Sequence, residues 1–91
     1  MRRITLHRRA TRYLCRMPRD RQIQMVASLE EVGSLSDITS HPGIRKLTGQ
    51  DGWYRLRVGI YRAILQPREN DEIVVLFVDY IGPRGDAYRN G

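Results

Sequence analysis

One short alternating segment limits the fold of this chain more than any other. Tyr54, Leu56 and Val58 alternate with Arg55 and Arg57, and Gly59-Ile60 then separates them from Tyr61 and Arg62. Alternation with period two is the mark of a strand with an apolar face and a polar one. With Gly59 at a positive φ, a two-residue turn at Gly59-Ile60 would pair Val58 with Tyr61, Arg57 with Arg62 and Leu56 with Ala63. Arg55, Arg57 and Arg62 then share one face. Like charges set directly opposite each other destabilise a sheet, so an Arg57–Arg62 pair points to a polyanion or an acidic partner that offsets the repulsion.

The rest of the chain supplies a frame for that hairpin. Ile4 and Leu6 alternate with Thr5 and His7 as a short strand. Ala10, Tyr13, Leu14 and Met17 form one apolar stripe on a helix of about nine residues, which Pro18 ends. Arg19 to Val32 reads as a second helix, with Gln22, Met25, Val26, Leu29 and Val32 inward and Gly33 at C′. Ser34 to Gly43 is a polar crossing loop, Ile44 to Leu47 a short strand, and Pro67 to Asp71 a second turn. Ile73 to Val78 is an almost unbroken apolar run, expected to be a central strand. Ile81 to Gly91 is a Gly-rich tail carrying Arg84, Tyr88 and Arg89. The expectation is one α+β domain over residues 1–91: an N-terminal strand, a two-helix hairpin and a mostly antiparallel sheet of about four strands. A chain of 91 residues has room for one core.

Charge adds a chemical bias. The net charge is +6, and Lys46 is the only lysine among sixteen cations. Residues 1 to 21 hold eight arginines against the single acid Asp20. Guanidinium groups grip phosphate or carboxylate through two bonds, which favours phosphate recognition, although a GC-rich genome also enriches Arg. With a single cysteine, Cys15, an intramolecular disulfide is excluded, and the expected location is the cytoplasm. No apolar run approaches the ~20 residues that span a bilayer, so no membrane partner is expected. His7 and His41 are isolated, no Cys/His or carboxylate cluster has ligand spacing, and neither metal nor cofactor is expected.

Arg45-Lys46-Leu47, then the segment from Gly52 to Arg62, then Ile73-Val74-Val75-Leu76 resemble, in that order, the RelE/ParE toxins of bacterial toxin-antitoxin pairs. The resemblance covers nearly the whole chain and is specific as a combination. It implies a small toxin silenced by a cognate antitoxin protein. RelE-like members of that family cleave mRNA on the ribosome, using basic residues of the sheet and a tail tyrosine or histidine. ParE-like members inhibit DNA gyrase. Carried over, the two basic strand positions match Arg55 and Arg57, the arginine after the hairpin tyrosine matches Arg62, the tail arginine matches Arg84 and the tail tyrosine matches Tyr88. The set is complete by type, which favours the ribonuclease. A gyrase inhibitor and a catalytically decayed antitoxin-binding module are the alternatives.

Cleavage of RNA without a metal uses the 2′-hydroxyl as nucleophile, and the transition state gathers charge on the phosphoryl oxygens. Preorganised donors aimed there are often the largest catalytic contribution. Arg55, Arg57, Arg62 and Arg84 are the candidate clamp, since arginine stays protonated and serves poorly as a base. Tyr88 is the candidate base: a free phenol titrates near pH 10, and neighbouring arginines lower that value. Arg8, Arg12 and Arg16, spaced by four on the first helix, are read together with Arg45 and Lys46 as RNA or ribosome contacts; a solvated face is the plainer reading of that row. Trp53 is read first as a packing residue at the sheet edge, and second as a platform for a base.

Overall fold

The computed structural model describes residues 2–69 and 74–83. Its elements follow the order β1 (Arg3–Leu6), α1 (Arg8–Arg16), α2 (Arg19–Ser34), β2 (Ile44–Lys46), β3 (Tyr54–Val58), β4 (Tyr61–Glu69) and β5 (Val74–Pro83), with a 3-10 turn at Ile38–Ser40. The strands form a single five-stranded sheet ordered β1-β5-β4-β3-β2. β1 is the one parallel member, running beside β5 with Ile4 opposite Leu76 and Leu6 opposite Val78. The N-terminal strand therefore completes the sheet at its edge.

The helices follow from their sequence. His7 caps α1, its Nδ1 accepting the Arg9 amide at 3.1 Å. Pro18, φ −53°, turns the chain and lends its carbonyl to the Gln22 amide at 2.8 Å to open α2. Met25, Leu29 and Val32 of α2 lie with Ala10 and Met17 against Ile44, Leu56, Val58, Tyr61, Ala63, Leu65, Leu76, Val78 and Ile81 of the sheet. Both helices thus cover one face of the sheet, and the hydrophobic core lies between the two layers. Tyr13 meets Tyr61 edge-on with ring centroids 6.3 Å apart, and Tyr54 packs on the same core. Beyond α2, Asp37 caps the 3-10 turn through the Thr39 amide and hydroxyl, and those two bonds hold its carboxyl below the usual range.

Several expectations are corrected. Gly33 is inside α2 and buried rather than at C′. Its carbonyl accepts the Arg2 amide at 2.8 Å, and a Cβ there would stand 3.4 Å from the Arg2 carbonyl and 3.5 Å from Ile4 Cγ1. A Cβ would make ordinary van der Waals contact there, so α2 packs on β1 with room for little more than a methyl group. Val26, expected inward, is exposed together with Ile23. Pro67, Arg68 and Glu69 belong to β4 rather than to a turn. Pro67 lies past the end of β3, where β4 has lost that neighbour and a strand tolerates proline. Ile81, Gly82 and Pro83 likewise continue β5. That strand, expected to be central, lies second in the order between β1 and β4; the centre is β4, whose Ala63-Ile64-Leu65 is the stretch buried on both faces.

Candidate functional site

The β3–β4 hairpin has the anticipated register. Val58 pairs with Tyr61, Arg57 with Arg62, Leu56 with Ala63 and Arg55 with Ile64. Gly59 has φ +58°, and among the described residues none other than glycine has a positive φ. That is the pattern of a II′ turn, in which only the first central residue needs the left-handed region.

Pairing across four strands builds a grid on the face away from the helices. Arg45 of β2 stands opposite Arg55 of β3, Arg55 opposite Ile64 of β4, and Ile64 opposite Tyr80 of β5. The adjacent row runs Arg57, Arg62, Gly82. Four arginines from three strands therefore occupy neighbouring positions of two rows. Ile64 is fully buried yet lies outside the helix-side core, so it forms an apolar floor among them. Arg45 is held by its own backbone, its guanidinium donating to the Ile44 carbonyl at 2.9 Å.

Among the described residues, neither Arg57 nor Arg62 has a carboxylate partner. The Nε of Arg62 is buried and, among those residues, accepted by no hydrogen-bonding group. A buried donor without an acceptor costs about 1–3 kcal/mol. Beside the grid lies an aromatic ledge on the same face. Trp53 meets Phe77 edge-on at 6.3 Å, and the Arg68 guanidinium sits 4.0 Å from the Phe77 ring centroid. Trp53 is thus a packing residue against β5.

Not every cation singled out from the sequence joins the grid. Lys46 pairs with Tyr54 and so alternates away from Arg45 and Arg55. Arg8, Arg12 and Arg16 are exposed on α1, in the helical layer rather than on the arginine face. Cys15 is exposed on the same helix. His7 is a cap, and His41 bridges the crossing loop to α2, with its Nε2 3.2 Å from Glu31. Arg84 and Tyr88 lie outside the described residues.

The fold has clear structural relatives. The toxin of the intact E. coli RelBE toxin-antitoxin complex superposes with a TM-score of 0.75 at 25% identity, covering 98% of this chain and 100% of that one. The fold is RelE-like. The archaeal RelE-RelB complex of Pyrococcus horikoshii OT3 gives a TM-score of 0.73 at 22% identity, over 94% of this chain and 98% of its counterpart. The RelB-RelE complex of Methanococcus jannaschii gives 0.67 at 19% identity, over 88% and 89%. No family model and no curated protein sequence matches the chain.

On this RelE-like sheet two more residues shape the face: Asp79, for which the sequence allows either an arginine partner or a polar strand end, and Tyr80, which it leaves undecided. Asp79 sits at a register shift: Leu65 pairs with Val78, but Ile64 pairs with Tyr80, which leaves Asp79 as the extra residue of β5. Its carboxylate takes the Arg9 guanidinium at 2.6 Å, and its carbonyl takes Arg9 Nε at 3.0 Å. The bulge reverses the alternation, so Tyr80 joins the arginine face instead of following Leu76 and Val78 into the core. The one clue in the sequence is an acid inside an apolar strand.

Proposed function

We propose that this chain is the toxin of a toxin-antitoxin pair and acts as a ribosome-dependent, metal-independent endoribonuclease on mRNA. The observation that carries the reading is the pairing of Arg57 with Arg62 within a surface of four neighbouring arginines. A sheet accepts such repulsion when a polyanion offsets it. The RelE-like fold, and its occurrence in toxin-antitoxin complexes, support a toxin held inactive by an antitoxin protein and acting in the cytoplasm, where ribosomes are.

In this reading Arg55, Arg57 and Arg62 hold the non-bridging oxygens of the scissile phosphate, and Arg84 from the tail completes the clamp. The 2′-oxygen attacks the adjacent phosphorus and gives its proton to the phenolate form of Tyr88. The bond to the 5′-oxygen breaks, and that oxygen takes up a proton from water or from the Tyr88 phenol just formed. The products are a 2′,3′-cyclic phosphate and a 5′-hydroxyl end. Guanidinium groups fixed on strands need little reorganisation as charge develops, which is the source of their effect. Alignment of the message is left to the ribosome, so free RNA is a poor substrate. Arg8, Arg12 and Arg16, with Arg45 and Lys46, add salt-sensitive contacts to ribosomal RNA.

Mapping of mRNA 5′ ends in a purified translation system, run beside a gyrase supercoiling assay, tests the proposal. Cuts within codons that require ribosomes, with supercoiling unaffected, are expected. Intact mRNA with inhibited gyrase would overturn it.

A further inference from the structure

Tyr80 and Gly82 occupy successive positions on the arginine face of β5. A Cβ built on Gly82 would run into the Tyr80 hydroxyl, with Cζ at 2.7 Å and Cε2 at 3.0 Å. The tyrosine ring therefore lies along its own strand, and its phenol oxygen stands where a side chain of residue 82 would be. Gly82 is the direct partner of Arg62. Side chains so paired begin about 4.5–5.5 Å apart at Cβ, which puts the phenol beside Arg62, in the row that Arg57 begins. Two further features lead to this placement. The bulge at Asp79 turns Tyr80 onto this face, and the Arg9–Asp79 pair anchors that bulge to α1. Bulges next to functional sites commonly re-aim a side chain in this way.

We infer that Tyr80 is a phosphate-contacting residue whose hydroxyl donates a hydrogen bond to the phosphodiester held by Arg57 and Arg62, and that residue 82 is glycine to let the ring lie there. The inference rests on the ribonuclease reading and deepens it. The phenol keeps its proton throughout, so the role differs from that of a base.

The test is single-turnover cleavage of mRNA on purified ribosomal complexes at saturating toxin. It compares wild type, Tyr80→Phe, Gly82→Ala, the double variant and Arg62→Ala, with melting temperature and antitoxin affinity measured for each. Tyr80→Phe keeps the ring and removes one oxygen. It is expected to slow cleavage on the order of a hundredfold, the usual cost of one lost donor, at saturating toxin and well below its melting temperature. Gly82→Ala displaces the ring and is expected to slow cleavage similarly, and the double variant is expected to be no slower than the slower single variant. A wild-type rate for Tyr80→Phe, with Arg62→Ala strongly impaired, would overturn this inference and leave the nuclease reading standing. Full additivity of the two β5 substitutions would overturn the link between Gly82 and Tyr80. Absence of cleavage by wild type would overturn the nuclease reading and this inference with it.

Discussion

Arg57 and Arg62 face each other directly across the β3–β4 ladder, two like charges joined by a two-residue turn. Arg57 is exposed and Arg62 half-buried, so the pair sits at the surface without being fully screened. Replacing Arg57 with Thr relieves the repulsion and keeps a good strand former. The variant is expected to be more stable by about 0.2–1 kcal/mol and slower in mRNA cleavage by at least tenfold. Urea denaturation with a parallel cleavage assay checks both. A loss of stability would mean that the pair is already neutralised.

Arg84 and Tyr88 enter through the resemblance alone. Arg84→Ala is expected to slow cleavage on the order of a hundredfold or more, and Tyr88→Phe similarly if the Tyr88 phenolate takes the 2′-proton. Single-turnover rates on ribosomes decide, and an unchanged Tyr88→Phe rate would remove the phenol from the proton path.

The Arg9–Asp79 pair fastens α1 to the bulge at 2.6 Å, with an exposed guanidinium and a carboxylate that is largely buried. Its strength should lie between that of a surface pair and that of a buried one. Arg9→Ala is expected to cost about 1–2 kcal/mol and to slow cleavage as well, because the bulge that aims Tyr80 loosens. Thermal denaturation and cleavage rates test this, and a loss of stability with full activity would separate the bulge from the site.

Gly33 sets the approach of α2 to β1. Alanine there meets the Arg2 carbonyl at 3.4 Å and Ile4 at 3.5 Å, and it gains helix propensity of about 1 kcal/mol over glycine. Gly33→Ala is therefore expected to be neutral or mildly stabilising. The branched side chain of Gly33→Val has no room, and overpacking is expected to cost about 1–3 kcal/mol. Equal melting temperatures for the two variants would contradict the close packing.

The hairpin was legible because two signals agree there. The alternation from Tyr54 to Val58 assigns the faces, and Gly59 locates the turn, so the arginine grouping followed from local pattern. Gly33 misled because glycine after an apolar stripe usually ends a helix, whereas here α2 runs on through it to Ser34 and packs it against β1. The bulge at Asp79 was hidden by the apolar run around it, in which either face of the strand looks fit for burial. Tyr80 consequently stayed unassigned, although its strand was identified. The pairing of β1 with β5 was also out of reach, since four residues of alternation name a strand but not its neighbour.

The account turns on whether the arginine face handles a phosphodiester of ribosome-bound message. The most direct measurement is the single-turnover rate of mRNA cleavage in purified ribosomal complexes, wild type against Arg62→Ala, with 5′ ends mapped. Ribosome-dependent cuts within codons, slowed on the order of a hundredfold by the substitution, are predicted; equal rates for the two proteins, or message left whole by both, would contradict it.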